Sequence, residues 1–412
     1  MKTATQPKRI KPFNNAARRV YVDNNASTSI HPEVLEAMMP YLKESYGNPS
    51  SGHWFGRSVR ARIDEAREQA AALISADPSE IVFCGSGTES DNAAIKGAAW
   101  NHPNDNSWQI ATCAVEHPAV LNTIRYLGKN GYRAKIIGVD GHAVVNVEEL
   151  RDGLDDKTAV VSVMHGNNEV GTVEPVKEIT EIVKSKGVLM HTDAVQSVGK
   201  LPVDVNDLGV DLLSFSGHKI HGPKGVGALY VRKGTKLKPL ITGGHHERGR
   251  RAGTENVPGI IGMGKACELA MKNLDRHSAH VATLRDELQQ RIFREIPHIR
   301  LNGHPSERLP NTLNVSVESI EGETMLIQCD MKGIALSTGS ACSSGSLDPS
   351  HVLIAMGIPH ETVHGSLRFS FGPDNTMEDA DYIMEHLPGI VATARAISPL
   401  WGENGPIPLE DI

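Results

Sequence analysis

The sequence predicts an α/β protein with a large domain built on a mainly parallel seven-stranded sheet covered by helices, followed by a smaller α+β domain. Three observations carry that expectation. Strand-like and helix-like segments alternate from residue 57 to 231, the pattern of parallel strands joined by crossover helices. After about residue 258 the alternation gives way to a long helical stretch and isolated strands. At 412 residues the chain is also longer than one small core organises.

Taken in order, residues 1–19 carry six Lys or Arg and no Asp or Glu. Pro7 and Pro12 interrupt any amphipathic helix there, so a basic tail is expected rather than an organellar transit segment. Residues 20–258 form the expected large domain, with those before about 30 packing on the small one. Ser58 to Ile74 reads as an amphipathic helix, with Val59, Ile63, Ala66, Ala70 and Leu73 on one face. Ile81–Phe83 is a short buried strand that ends in a Gly-rich turn, and a helix follows from about Glu89. Strand candidates recur at Ile110–Val115, Ala134–Ile137, Ala159–Met164, Val188–His191, Leu212–Phe215 and Gly227–Val231, with Val176 to Lys186 a helix between two of them. Residues 259–412 form the expected small domain. It has a helix from Gly262 to Arg294, strands at Asn314–Val317 and Arg368–Phe371, a helix from Glu323, a Gly/Ser-rich segment around Cys342, and a closing helix from Met377 to Ala394.

Composition narrows the function. Hydrophobic residues make up 39% and charged residues 22%, as in a soluble globular enzyme. A net charge of -7 argues against nucleic acid or an anionic membrane as the main partner. No apolar run approaches the roughly 20 residues of a membrane helix. The five cysteines, Cys84, Cys113, Cys267, Cys329 and Cys342, form no C-x-x-C pair. Their odd number and scattered spacing fit a reducing, cytoplasmic compartment better than disulfides or zinc. His245 and His246 lack a third ligand at recognisable spacing, so no metal site is expected.

Ligands of parallel sheets bind at the carboxyl ends of strands, where several polar clusters fall. Lys219, in SFSGHKIHGPKG, follows a buried strand among small residues. It reads either as a surface lysine or as an amine that bonds a cofactor carbonyl. Asp193 ends an apolar strand and suits a pyridinium nitrogen, or an N-cap. Gln196 could donate to a ring hydroxyl or complete a capping box. Gly85 to Thr88 form a turn whose glycines and helix-terminal N–H groups suit a phosphate, and no G-K-[ST] follows, which excludes an ATP loop. Ser216 and His218 could add phosphate contacts. His117 follows a strand end, where an imidazole either stacks on a ring and moves protons or is structural. Cys342 alone lies outside an apolar context, so it is the candidate reactive thiol on a mobile loop. The other four cysteines read as core thiols. Arg368 suits a substrate carboxylate, and equally an ordinary salt bridge.

Nine strings together resemble the cysteine desulfurase family (NifS/IscS-like), which are pyridoxal-phosphate (PLP) enzymes of fold type I in the class V aminotransferase superfamily. They are YVDNNAST, YGNPSSGH, GTESDNAAIKG, EHPAVL, NNEVG, HTDAVQSVGK, SFSGHKIHGPKG, HERGRRAGTEN and STGSACSSGS, between residues 21 and 346, and the similarity covers roughly residues 20–400. RRAGTEN and SPLWGENGP point toward the branch serving iron–sulfur cluster assembly, the nitrogen-fixation type in particular. The resemblance implies that Lys219 carries PLP and shuttles a proton, that Asp193 and Gln196 bind its ring, and that His117 stacks on it. It assigns the phosphate to Gly87, Thr88, Ser216 and His218, with Thr254 reaching the phosphate of a second subunit in a homodimer. Asn168 contacts the cofactor and, with Arg368, the substrate carboxylate. Cys342 takes sulfur from L-cysteine as a persulfide and passes it to an iron–sulfur scaffold or other acceptor, and is also a candidate ligand for a transient iron–sulfur cluster. A selenocysteine lyase or another PLP transferase on this fold is the alternative, and a non-catalytic assembly scaffold a more distant one. Two positions depart from relatives. Ser27 stands where threonine is frequent, and His165 where an apolar or aromatic residue is.

Overall fold

The computed structural model describes residues 18–338, 349–402 and 405–407. Seven strands form the central sheet: β1 Ile81–Cys84, β2 Gln109–Cys113, β3 Arg133–Ile137, β4 Thr158–Ser162, β5 Leu189–Asp193, β6 Leu212–Ser216 and β7 Gly227–Val231. Their order is β1-β7-β6-β5-β4-β2-β3. β7 runs antiparallel to both β1 and β6, and the remaining pairs are parallel. The parallel strands β2, β4 and β6 are buried along their whole length, as helices on both faces of a sheet require. β3, at one edge, is exposed at Arg133, Ala134 and Ile136, and its charged side chains discourage pairing with another chain.

The other edge is closed differently. β1 is fully buried, so its outward backbone groups need partners. A bidentate ion pair provides them. Arg67 donates to both carboxylate oxygens of Glu247 at 2.7 Å. The same guanidinium donates to the carbonyl of Ile81 at 2.9 Å, and Glu247 accepts from the N–H of Phe83 at 3.0 Å. Glu247 and Arg248 both hold positive φ, so this turn is bent to reach the edge strand.

A second sheet of three antiparallel strands, β8 Ile299–Asn302, β9 Thr312–Val317 and β10 Ser366–Ser370, is ordered β10-β9-β8. A helix of 39 residues, Val257–Glu295, links the two halves. Ile260, Met263, Ala266 and Cys267 belong to the core under the first sheet, and Val281, Leu284, Leu288 and Ile292 to the core of the second. Val20 and Val22 also pack in the second core, and Val20–Tyr21 pairs in parallel with Ile334–Ala335. The chain then passes from Asn24, whose N–H donates to the Ser370 carbonyl, to the carboxyl edge of the large sheet.

Removing one partner of a buried ion pair strands the other charge. Arg67→Ala should therefore lower unfolding stability by about 3–5 kcal/mol, read from denaturant midpoints. Glu247→Gln in the same chain should recover part of that loss, and a loss confined to a few tenths of a kcal/mol would contradict the edge-closing role.

Candidate active site

The carboxyl ends of β1, β2, β4, β5 and β6 surround a cavity of about 320 Å³, within the usual range for small-ligand pockets. Its lining includes Gly87, Thr88, His117, Asn168, Asp193, Gln196, Ser216, His218, Lys219 and Arg368. These residues come from six separate stretches of the sequence and share one space. Thr254 is exposed and outside this lining. Cys342 lies outside the described residues.

The helix Gly87–Ala99 starts two residues earlier than expected, because Ser86 caps it by accepting the N–H of Glu89 at 3.1 Å. Gly87 and Thr88 therefore occupy the first helical turn, where free N–H groups and the helix dipole favour an anion. A Cβ at Gly87 would sit 2.9 Å from a methyl of Val195. One at Gly227, where β7 begins, would sit 2.5 Å from the backbone of Ser86. Glycine at both positions lets this turn lie flat against the sheet edge.

His117 caps the helix Pro118–Lys129. Its Nδ1 accepts the N–H of Ala119 at 3.1 Å, which leaves the ring proton on Nε2. Burial, with the positive charges of Lys219 and His351 adding to it, lowers its pKa to about 4, so the imidazole is neutral at pH 7. Lys219 sits on a short turn, Gly217–Lys219, directly after β6. Its ammonium donates to the carbonyls of Asn25 and Ala26, the latter at 3.0 Å. Gln196 donates from Nε2 to the Asn25 carbonyl at 2.9 Å. Arg368 is both things its sequence context allowed: it is paired with Asp23 at 2.8 Å, donates to the Asn168 carbonyl at 2.9 Å, and lines the cavity.

Asp193 ends β5 and accepts the N–H of Val195 at 2.9 Å. Burial raises its pKa to about 6, against the opposing pull of that hydrogen bond and of Lys219. Asp91 lines the same cavity, and its Oδ1 is buried without a hydrogen-bond partner. Burial, then the charge of Asp193, pushes its pKa well up. This buried carboxyl pair is suited to a protonated ring nitrogen. The donors elsewhere in the lining complement it: an amine for an aldehyde, an amide N–H for a ring oxygen, and a helix N-terminus for a phosphate. The residues present fit PLP.

Cavity residues absent from the sequence-based set are Asn25, Ala26, Ser86, Asp91, Met164, Gly166 and Val195. Asn25 and Asp91 lie inside strings quoted for the resemblance. No local feature singles them out, because their roles come from chains that meet only in the fold. The four cysteines outside the 339–348 interval are buried, and burial raises the pKa of each thiol.

A helix-covered, mainly parallel sheet whose strand ends gather a lysine, an aspartate and a phosphate-suited helix N-terminus is the arrangement of this chain, and residues 20–383 match the aminotransferase class-V family. A cysteine desulfurase of Trichormus azollae is 50% identical over 380 residues, 92% of this chain and 94% of that protein. Among solved structures, a NifS-like protein superposes with a TM-score of 0.86 at 41% identity, covering 91% of this chain and 100% of the other. Another, SspA in complex with cysteine, gives 0.76 at 35% identity over 86% of this chain and 99% of that one. Within the class V aminotransferases, the chain belongs to the cysteine desulfurase family, whose cofactor is PLP.

The raised pKa of Asp193 has a signed consequence. Its folded value of about 6 lies above the ordinary 3.8. Between these values the folded state holds the extra proton, so stability falls as pH rises from about 4 to about 6. At pH 7 the cofactor-free protein bears the full cost, roughly 3 kcal/mol at 1.4 kcal/mol per pKa unit. Asp193→Asn keeps the Val195 hydrogen bond and removes that cost. The cofactor-free variant should melt at or above the parent temperature at pH 7–8, while its stabilisation by added PLP shrinks. Thermal melts with and without PLP check both halves; a cofactor-free variant that melts lower at pH 7 but not at pH 4 would contradict the assignment.

Proposed function

We propose that this chain takes the sulfur of free L-cysteine, holds it as a persulfide on Cys342, releases L-alanine, and passes the sulfur to an acceptor that builds iron–sulfur clusters. The observation that carries this reading is the convergence of Lys219, Asp193, Gln196, His117 and Arg368 on one cavity. The names of the relatives supply the reaction class.

PLP bound in this cavity supplies an electron sink for negative charge that develops at a substrate carbon. Lys219 would hold it through its amine, Asp193 would pair with its ring nitrogen, and Gln196 would donate to its ring oxygen. Thr88, Ser216, His218 and the backbone at Gly87 would bind its phosphate. Arg368, anchored by Asp23, presents its guanidinium to the substrate carboxylate beside Asn168. Lys219 moves the proton at the substrate Cα, and neutral His117, with its proton on Nε2, is the second group able to give or take one. Cys342, as thiolate, attacks the substrate Sγ. An S–S bond forms as the substrate C–S bond breaks, the electron pair stays with carbon, and the carbon skeleton takes up a proton and leaves as alanine.

The exposed Thr254 supports a homodimer in which it reaches the phosphate bound to the partner subunit. Separate cores under the two sheets support a large and a small domain, divided near residue 258, with Ile260 to Cys267 and Val352 to Val363 packing in the first core and Val20 and Val22 in the second. Among the described residues no helix is long and apolar enough to cross a membrane. The branch serving nitrogenase clusters is the finer reading, resting on RRAGTEN and SPLWGENGP.

With cysteine and a thiol reductant, the holoenzyme should give sulfide and alanine in equal amounts. Cys342→Ser should bind PLP with parental affinity, while sulfide release falls at least a hundredfold. Mass spectrometry of the parent after cysteine treatment should find one added sulfur on the peptide containing Cys342. Sulfide release by Cys342→Ser at the parental rate would remove that residue from the reaction.

A further inference from the structure

Gln196 and Lys200 are four residues apart on a turn rather than a helix, and they meet head to head. Lys200 donates from Nζ to Oε1 of Gln196 at 2.8 Å and to Oδ1 of Asn25 at 3.0 Å. An ammonium carries donors and no acceptor, so the amide oxygen of Gln196 must face it. At the other end Nε2 of Gln196 donates to the Asn25 carbonyl at 2.9 Å. A flipped amide would set donor against donor at Lys200 and acceptor against acceptor at Asn25. Gln196 lines the cofactor cavity and Lys200 does not; Lys200 lines a second cavity of about 70 Å³.

We propose that Lys200 is a positioning residue for the cofactor: it locks the Gln196 amide so that an N–H, and not the oxygen, meets the ring oxygen of PLP. This rests on the reading of the larger cavity as the PLP site.

The charge around Lys200 supports it. Both of its acceptors are neutral, and among the described residues no carboxylate pairs with it. Lys219 and Arg368 face it, Arg368 with Asp23 as its own partner, and both add to burial in holding the Lys200 pKa well below the ordinary lysine value. His218 and His221 face it too, and each is lowered in part by its charge, with Asp374 opposing at His221. His277 lines the same small cavity. A cation placed among cations, one amide away from the cofactor cavity, is offset by the electron-rich ring oxygen that the amide reaches.

A double-mutant cycle on the full-length holoenzyme tests this with Lys200→Met, Gln196→Ala and the pair. The readouts are PLP dissociation constant and the pH midpoint of the bound cofactor's visible absorbance. Lys200→Met should weaken PLP about tenfold, or about 1.4 kcal/mol. It should also raise the midpoint, since losing a nearby cation and a well-aimed N–H both favour protonation. In the Gln196→Ala background the same change should weaken PLP less than twofold. Lys200→Gln, which can still donate to both acceptors, should keep most of the affinity and still raise the midpoint. It carries the test if Lys200→Met does not fold. Lys200 variants with parental affinity and midpoint, or losses that add across the cycle, overturn the proposal. A parent protein that takes up no PLP overturns instead the reading of the cavity.

Discussion

The arrangement depends on how one residue, Asn25, is satisfied. Its backbone carbonyl accepts from Lys219 and Gln196. Its side-chain oxygen accepts from Lys200 and Asn311 at 3.0 Å each, and its Nδ2 donates to Thr312 at 2.8 Å and to the Asn168 carbonyl at 3.2 Å. Its own N–H donates to Ser370 at 2.9 Å. Lys219, Gln196, Lys200 and Asn168 belong to the half of the chain around the first sheet, and Asn311, Thr312 and Ser370 to the half around the second. Asn25 is 1% exposed, so each of these bonds forms away from water, where an unmet partner is costly. The reactive amine is therefore set by the junction of two cores, and the residues before 30 must dock on both before the site exists.

Much of this was legible in the sequence because parallel strands are buried on both faces. Their apolar runs end abruptly, and polar residues at or soon after several of those ends line the cavity. Asp193, Ser216 and His117 stand out for that reason. Arg368 was ambiguous because its two roles are compatible: Asp23 holds the guanidinium, which still lines the cavity. Lys200 was not legible. A lysine on a turn four residues from a glutamine reads as solvated, and only a chain arriving from residue 25 encloses it. Asp91 was hidden similarly, on a helix face that becomes the cavity wall once the helix lies on the sheet. The helix start at Gly87 was misjudged by two residues because a serine cap looks like part of a turn.

Burial also sorts the thiols and the acids. Cys84, Cys113, Cys267 and Cys329 are enclosed, and burial raises each thiol above its ordinary pKa, so none offers an accessible thiolate near pH 7. Asp91, Asp193 and Glu116 are buried carboxyls near one another, and each is raised, with the charge of Asp193 contributing at both neighbours. Such a group of acids is expensive for the empty protein and favourable for one holding a protonated ring. The cavity stores its affinity for a cationic heterocycle as strain in the cofactor-free fold.

The chain flanking residues 339–348 is held on both sides by residues of the same site. Before it, Ser337 exchanges backbone hydrogen bonds with Arg368 and donates from its hydroxyl to Asp23 at 2.9 Å. After it, Ser350 donates to Glu169 at 2.5 Å, and His351 Nε2 meets the carbonyl of Glu116, the residue before His117, at 2.9 Å. Arg368, anchored by Asp23, is the group proposed above to meet the substrate carboxylate, and His117 lines the same cavity. These ties are short and largely buried, so Ser337, Ser350 and His351 cannot drift from their positions without breaking them. Both anchors thus bear on residues that line the cavity or adjoin those that do. The first anchor bears directly on Arg368 and its partner Asp23, whereas the second acts through Glu169 and Glu116, the neighbours in sequence of Asn168 and His117.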